Sequence, residues 1–212
     1  MTINYPNGKP FQKNHSDSVF NQNKKATQYG NRGMNLEEYI SQSNQYYLER
    51  GIGVIHKKPT PIQVVKVDYP KRSAAVIREA YYRQSSTTDF NGIYKGLYID
   101  FEAKETKNKT SFPLNNIHDH QIKHMQQCQD MGGITFVLIG FTSLDRVFLL
   151  DSAHFIDFEN KYKRKSIPIA YIEEHGFEVS YGFQPTLNYL SALDKLLEEK
   201  QFRGERNNVE RN

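Results

Sequence analysis

An α/β fold with a central mixed sheet flanked by helices is what this sequence predicts, and three observations carry the prediction. Residues 134–141 (Ile-Thr-Phe-Val-Leu-Ile-Gly-Phe) form a continuous apolar run, the pattern of a strand covered on both faces. Two further strand-like runs, 88–90 and 98–104, lie either side of a turn signal at Lys95-Gly96. Three other stretches, near 35–50, 118–131 and 185–200, space their apolar residues at helical intervals.

Taken in chain order, residues 1–31 are rich in Asn, Lys, Gln and Ser with little periodic apolar content, and read as a basic, disordered arm. Asn35 is placed to cap a helix that uses Leu36, Tyr39, Ile40, Tyr47 and Leu48 and stops at Gly51. Gly53-Val54-Ile55 begins a short strand, and Lys58-Pro59-Thr60-Pro61 breaks it, because two prolines so close cannot sit in a central strand. Residues 62–67 read as strand and 73–82 as a short amphipathic helix. Residues 118–131 form a helix closed by Gly132-Gly133, and residues 146–150 pair with the 134–141 strand as a hairpin. The last helix uses Leu187, Leu190, Leu193 and Leu197, and a polar tail follows from 201 to 212.

Composition narrows the class. The chain has 212 residues, enough for one domain with a real core. Its aromatics are 14 Tyr and 13 Phe with no Trp, which suits a globular protein with a wet binding surface. The net charge is only +4, but it is segregated. Residues 1–34 carry five Lys and Arg against one Asp, and residues 57–83 carry seven against two acids. Two such segments suit an anionic polymer, since each neutralised phosphate releases counterions. They also suit an ordinary solvated face. The single cysteine, Cys128, excludes an internal disulfide framework and reads as core filler. No apolar leader or membrane-length run is present in the sequence, so a soluble, cytoplasmic protein is expected, with no membrane partner.

The residues that carry chemistry are Asp89, Glu102 and Lys104. In a strand, side chains at i and i+2 share a face, which puts Glu102 and Lys104 together with Asp100 beside them. If strands 88–90 and 98–104 are hairpin neighbours, Asp89 comes close enough to Glu102 for the two to hold one ion. Hard cations such as magnesium take carboxylates, waters and substrate phosphate as ligands. A lysine beside that ion offsets charge that builds on a phosphoryl transition state. The same residues on an exposed edge strand would be an ordinary cross-strand ion pair.

Several spaced blocks then bring a family into view. They are Tyr29-Gly30-Asn31-Arg32-Gly33-Met34, Lys57-Lys58-Pro59-Thr60-Pro61, Thr88-Asp89-Phe90-Asn91-Gly92, Tyr98-Ile99-Asp100-Phe101-Glu102-Ala103-Lys104, and His118-Asp119-His120-Gln121-Ile122 followed by Gly132-Gly133. In this order they make the chain resemble the RecU-type Holliday junction resolvases, of the PD-(D/E)xK nuclease superfamily, from about residue 29 to about 200. The superfamily's nominal proline before the first Asp is replaced here by Thr88.

The resemblance implies a restriction-endonuclease-like core over 32–200 with a protruding stalk at about 59–83. It implies a homodimer that nicks four-way DNA junctions symmetrically with Mg²⁺ or Mn²⁺, and that also modulates a RecA-type recombinase. Carried over by position, Thr87, Asp89, Glu102 and Gln121 would be metal ligands and Lys104 the transition-state stabiliser. Arg32, Lys57, Lys58 and Arg72 would contact DNA, since arginine's planar fork in particular suits phosphate. Glu37 stands where related archaeal resolvases place an acidic ligand; it equally suits the first turn of a helix through the helix dipole. His118, His120 and His124 read as surface histidines, because zinc-type spacing is missing. Two other readings stay open: a DNA-bending or recombinase-regulating protein, and a restriction-type nuclease acting on linear duplex.

Overall fold

A computed structural model describes residues 34–83 and 87–209, the side chains of Arg72 and of residues 202–209 excepted. The expected arm over 1–31, Arg32 and the last three residues of the tail therefore lie outside the described residues.

The chain opens on α1 (Leu36–Glu49), and Asn35 caps it as its sequence position suggests: Glu38 N–H donates to Asn35 Oδ1 at 2.9 Å, and Asn35 N–H donates to Glu38 Oε2 at 3.0 Å. Then come β1 (Gly53–Lys57), β2 (Ile62–Asp68), a 3₁₀ turn at Arg72–Ala74, and β3 (Val76–Tyr82). The strands that carry the expected site residues follow as β4 (Phe90–Tyr94) and β5 (Leu97–Thr106). Next are β6 (Ser111–Pro113), a 3₁₀ turn at Leu114–Asn116, α2 (Asp119–Asp130), β7 (Ile134–Phe141) and β8 (Arg146–Asp151). The chain ends with α3 (Ser152–Tyr162), β9 (Ser166–Pro168), α4 (Ile169–His175), β10 (Phe177–Val179) and α5 (Tyr189–Val209).

Six strands form the central sheet in the order β1-β4-β5-β7-β8-β10. Only β5 and β7 are parallel, with α2 as their crossover, so the sheet is mixed, as expected. The β4–β5 turn has positive φ at both Lys95 (49°) and Gly96 (78°), the geometry that a two-residue hairpin needs. Helices cover both faces. On one, Leu36 and Ile40 of α1 and Leu190 and Leu193 of α5 pack against Ile99, Phe101, Ala103, Phe136 and Leu138. On the other, Met125 of α2, Phe155 and Phe158 of α3 and Ile172 of α4 pack against Val137, Ile139, Phe148 and Leu150. Among the described residues, no helix is long and apolar enough to cross a membrane.

An aromatic ladder sets the register of the middle strands. Phe90, Phe101 and Phe136 are paired across β4, β5 and β7, with ring centroids 5.1 and 4.6 Å apart and planes within 10°. All three are fully buried, each worth roughly 1.5–3 kcal/mol of apolar transfer. Slipping by one residue would turn these rings out of the core, so the ladder also fixes what lies one residue away. Gly92 allows β1 to approach β4 closely: a Cβ there would come within 2.1 Å of the Val54 carbonyl oxygen.

Two of the expected elements differ: α5 continues through residues 201–209, expected as tail, and the segment 73–82 changes type. The short helix expected over 73–82 is the strand β3, paired antiparallel with β2 from Ile62↔Tyr82 to Asp68↔Val76. Val76-Ile77 and Tyr81-Tyr82 are β-formers, and the ribbon is solvated on both faces, so its apolar residues report no single core direction. This separate two-stranded sheet occupies the segment expected as a stalk. Helices α3 and α4 and strand β10 have no counterpart among the elements expected from the sequence.

Candidate metal centre

Residues Asp100, Glu102 and Lys104 alternate with Ile99, Phe101 and Ala103 along β5. Because the odd-numbered side chains enter the core under α1 and α5, the even-numbered ones point to the opposite face, beneath α2. Asp100 and Glu102 are fully buried there. Phe90 pairs with Phe101, so extending the register by one residue sets Asp89 across from Glu102. Lys104 Nζ donates to Glu102 Oε1 and lies 3.5 Å from Asp89 Oδ2. The triad read from the sequence is one cluster in space.

The two buried carboxylates differ sharply. Asp100 is saturated: Oδ1 accepts from Thr88 Oγ1, and Oδ2 accepts from Lys58 Nζ (2.7 Å) and Tyr98 OH (2.7 Å), with His124 Nε2 at 3.3 Å. Burial pushes its pKa up, but the bonds from Lys58, Thr88 and Tyr98 outweigh that and hold it below the usual carboxylate value. Glu102 is the reverse. Burial, reinforced by neighbouring Asp89 and opposed by Lys104, pushes its carboxyl up to about 8. Its Oε2 has no hydrogen-bond partner. Lys104 itself is held above its usual value: burial alone would lower it, and Glu102 and Asp89 more than compensate.

That orphaned oxygen decides whether these residues fit a divalent cation. A buried acceptor left unpaired costs about 1–3 kcal/mol, more if charged, and a hard cation shared with Asp89 would satisfy it. Two carboxylates are the donor type that a hard divalent cation takes. A second grouping, Asp100, His124 and Cys128, brings ligand atoms within 4.8 Å of one another. There Asp100 Oδ2 is already claimed by Lys58 and Tyr98, so the group is a satisfied network rather than an open ligand set.

The other expected residues fall in varied places. Gln121 is buried in the first turn of α2, where its Oε1 accepts from the His118 N–H at 3.0 Å; it makes no hydrogen bond to the triad. Thr87 donates to the Thr88 carbonyl at 3.4 Å, and because residues 87–89 precede β4, strand alternation does not govern them. It is Thr88 that reaches β5. Lys57 and Lys58 diverge. Lys57 Nζ pairs at the surface with Glu37 Oε2 at 2.5 Å, while Lys58 Nζ turns to Thr88 and Asp100. Glu37 thus meets Lys57, on a helix that packs against the face opposite the triad. Arg72 starts the 3₁₀ turn between β2 and β3, and its side chain is outside the described residues.

Sequence reasoning missed the network of Thr88, Tyr98, Asp100 and His124. The available signal was that Asp100 shares a face with Glu102, which alone cannot say which acid is paired. His124, expected at the surface, is partly buried against Asp100.

The family model and the sequence relatives agree on the family. The model of the family described as "RecU: Recombination protein U" matches residues 31–195. The chain is 56% identical over 202 residues to the Holliday junction resolvase RecU of Geobacillus sp. (strain WCH70), covering 92% of this chain and 98% of that one. Against the protein of the same name from Lactiplantibacillus plantarum it is 56% identical over 207 residues, covering 94% and 98%. Against that of Staphylococcus aureus it is 55% identical over 203 residues, covering 92% and 96%. A distant likeness, TM-score 0.37 at 9% identity over 64% of this chain and 92% of the other, is to the solved Hjc, a Holliday junction resolvase from Archaeoglobus fulgidus.

Proposed function

The chain belongs to the RecU family, and on that premise we propose that it is a Holliday junction resolvase, an endonuclease that nicks four-way DNA junctions with Mg²⁺ bound at Asp89 and Glu102. The observation that carries this is the buried, unpartnered Oε2 of Glu102, across the β4–β5 register from Asp89 and beside the Lys104 ammonium. Thr87 and Gln121 join as further ligands by resemblance. The Gln121 carbonyl keeps a second lone pair after capping α2.

When bound, the cation would polarise the scissile phosphate and make its coordinated water acidic. The protein's own residues do the rest. Asp89, just before β4, and Glu102 of β5 would hold the cation between them. Lys104, anchored by both carboxylates, presents a positive charge where negative charge grows on the phosphate during attack. A four-way junction has two-fold symmetry, so a homodimer with two such sites can cut opposing strands in one encounter. A RecA-type recombinase is a further partner on the family resemblance alone. Mn²⁺ fits the same oxygen ligands.

The test is digestion of a synthetic four-way junction in competition with linear duplex of the same sequence, in Mg²⁺ and in EDTA. Preferential, Mg²⁺-dependent, paired nicking of the junction is expected. Equal cutting of linear duplex would point to a restriction-type nuclease, and an intact but bound junction in Mg²⁺ would leave only a DNA-binding role.

A further inference from the structure

Lys58 does not present its charge to solvent. Its side chain is 18% exposed, and it reaches inward from the end of β1. Three hydrogen bonds hold it: its N–H donates to the Asp89 carbonyl at 2.8 Å, and its Nζ donates to Thr88 Oγ1 at 2.9 Å and to Asp100 Oδ2 at 2.7 Å. The first two bonds land on the segment that bears Asp89. The third lands on β5, two residues from Glu102. Thr88 closes the ring by donating to Asp100 Oδ1.

This matters because the two metal-site carboxylates are held by unequal means. Glu102 sits in the middle of β5, locked by the parallel ladder to β7, where it pairs with Val137. Asp89 lies one residue before β4, in the irregular stretch 87–89, where the strand ladder has ended. Something else must fix it. We infer that Lys58 is a positioning residue of the metal site: by bridging Thr88 and Asp100 while gripping the Asp89 backbone, it sets the Asp89–Glu102 separation and hence the affinity for the divalent cation, and it is not a DNA contact. The inference rests on the proposed metal-dependent activity and deepens it. A phosphate contact would need the ammonium free, and its buried Asp100 partner, once left alone, would be an uncompensated charge.

The full-length chain tests this with three readouts on Lys58→Met, Lys58→Arg and Thr88→Val. Mn²⁺ binding without DNA is measured by calorimetry, junction binding without divalent metal across a salt series, and junction cleavage across a Mg²⁺ titration. The supporting outcomes are specific. Lys58→Met weakens Mn²⁺ binding on the order of 10- to 100-fold, as loss of a residue supporting a ligand does, and moves the Mg²⁺ midpoint for cleavage upward by a similar factor. Junction affinity and its salt slope stay as in the parent. Lys58→Arg, whose fork can still bridge Thr88 and Asp100, recovers part of the metal affinity, and Thr88→Val shifts it the same way as Lys58→Met but less. The inference is overturned if Lys58→Met keeps its Mn²⁺ affinity while junction binding weakens and the salt slope falls by about one, the signature of a lost phosphate contact. Should Lys58→Met fail to fold by circular dichroism, unchanged Mn²⁺ affinity in Thr88→Val overturns it alone. A parent protein that binds no Mn²⁺ and cuts nothing refutes the proposed function instead, which keeps the two failures apart.

Discussion

Two buried carboxylates stand two residues apart on one face of β5, and they have opposite fates. Asp100 is surrounded by Lys58, Thr88, Tyr98 and His124, and every oxygen is used. Glu102 meets one cation, Lys104, and keeps an oxygen unpaired. Both are equally buried, so burial alone does not set them apart. What separates them is unspent acceptor capacity: Asp100 is saturated, and Glu102 keeps an oxygen for the proposed cation.

Catalysis offers the hardest test of that contrast. Glu102→Gln and Asp89→Asn should abolish junction cleavage while leaving junction binding in place, and Lys104→Ala should cost on the order of 10²–10³-fold in rate. Binding assays beside the cleavage assays check this, and joint loss of both would mean that these residues hold the fold instead. Stability comes next. Asp100→Asn should destabilise the protein by about 3–5 kcal/mol in chemical denaturation, because it leaves the Lys58 ammonium largely buried without its counter-charge. Glu102→Gln without metal should not. Equal losses from the two substitutions would erase the distinction.

A subtler separation is in pH. The Glu102 pKa is raised from 4.5 to about 8 in the folded protein, so the folded state holds a proton there that the unfolded chain releases. Its contribution is full below about 4.5 and is lost as pH rises toward 8. Asp100 is lowered, so its contribution is present above its ordinary value of 3.8 and lost on acidification through the lowered value. Thermal melts of the metal-free protein should therefore show a decline between pH 5 and about 8 that Glu102→Gln removes and Asp100→Asn does not. The smallest effect belongs to the exposed counterpart of Lys58. Lys57→Ala breaks only the surface pair with Glu37 and should change stability by less than about 1 kcal/mol. A change as large as that of Asp100→Asn would show that the divergence of the two lysines has been misread.

The core and the ribbon differ in a similar way in how legible they are. The strand at 134–141, the Lys95-Gly96 hairpin and the Asn35-capped helix are all visible in the sequence, since each is set by neighbours a few residues away. The β2–β3 ribbon is not. Its apolar residues, exposed on both faces, mimic a helical stripe over 73–82, and only pairing with 62–68 makes them a strand. Helices α3 and α4 escaped for a related reason: each is capped by the last residue of the strand before it, Asp151 of β8 and Pro168 of β9, so no loop separates the two periods.

By itself the sequence determined the triad. Strand alternation puts Glu102 and Lys104 on one face, the hairpin turn brings Asp89 opposite, and both follow from local geometry with a period of two. Tertiary structure alone decided which of the two acids on that face is open. Asp100 is closed by Lys58, which is 42 residues away in sequence, and by His124 on a helix that crosses the sheet. Desolvation and hydrogen-bond saturation depend on whatever packs over a side chain, and here Lys58 just past β1 and His124 of α2 do the covering, which no spacing within β5 can reveal.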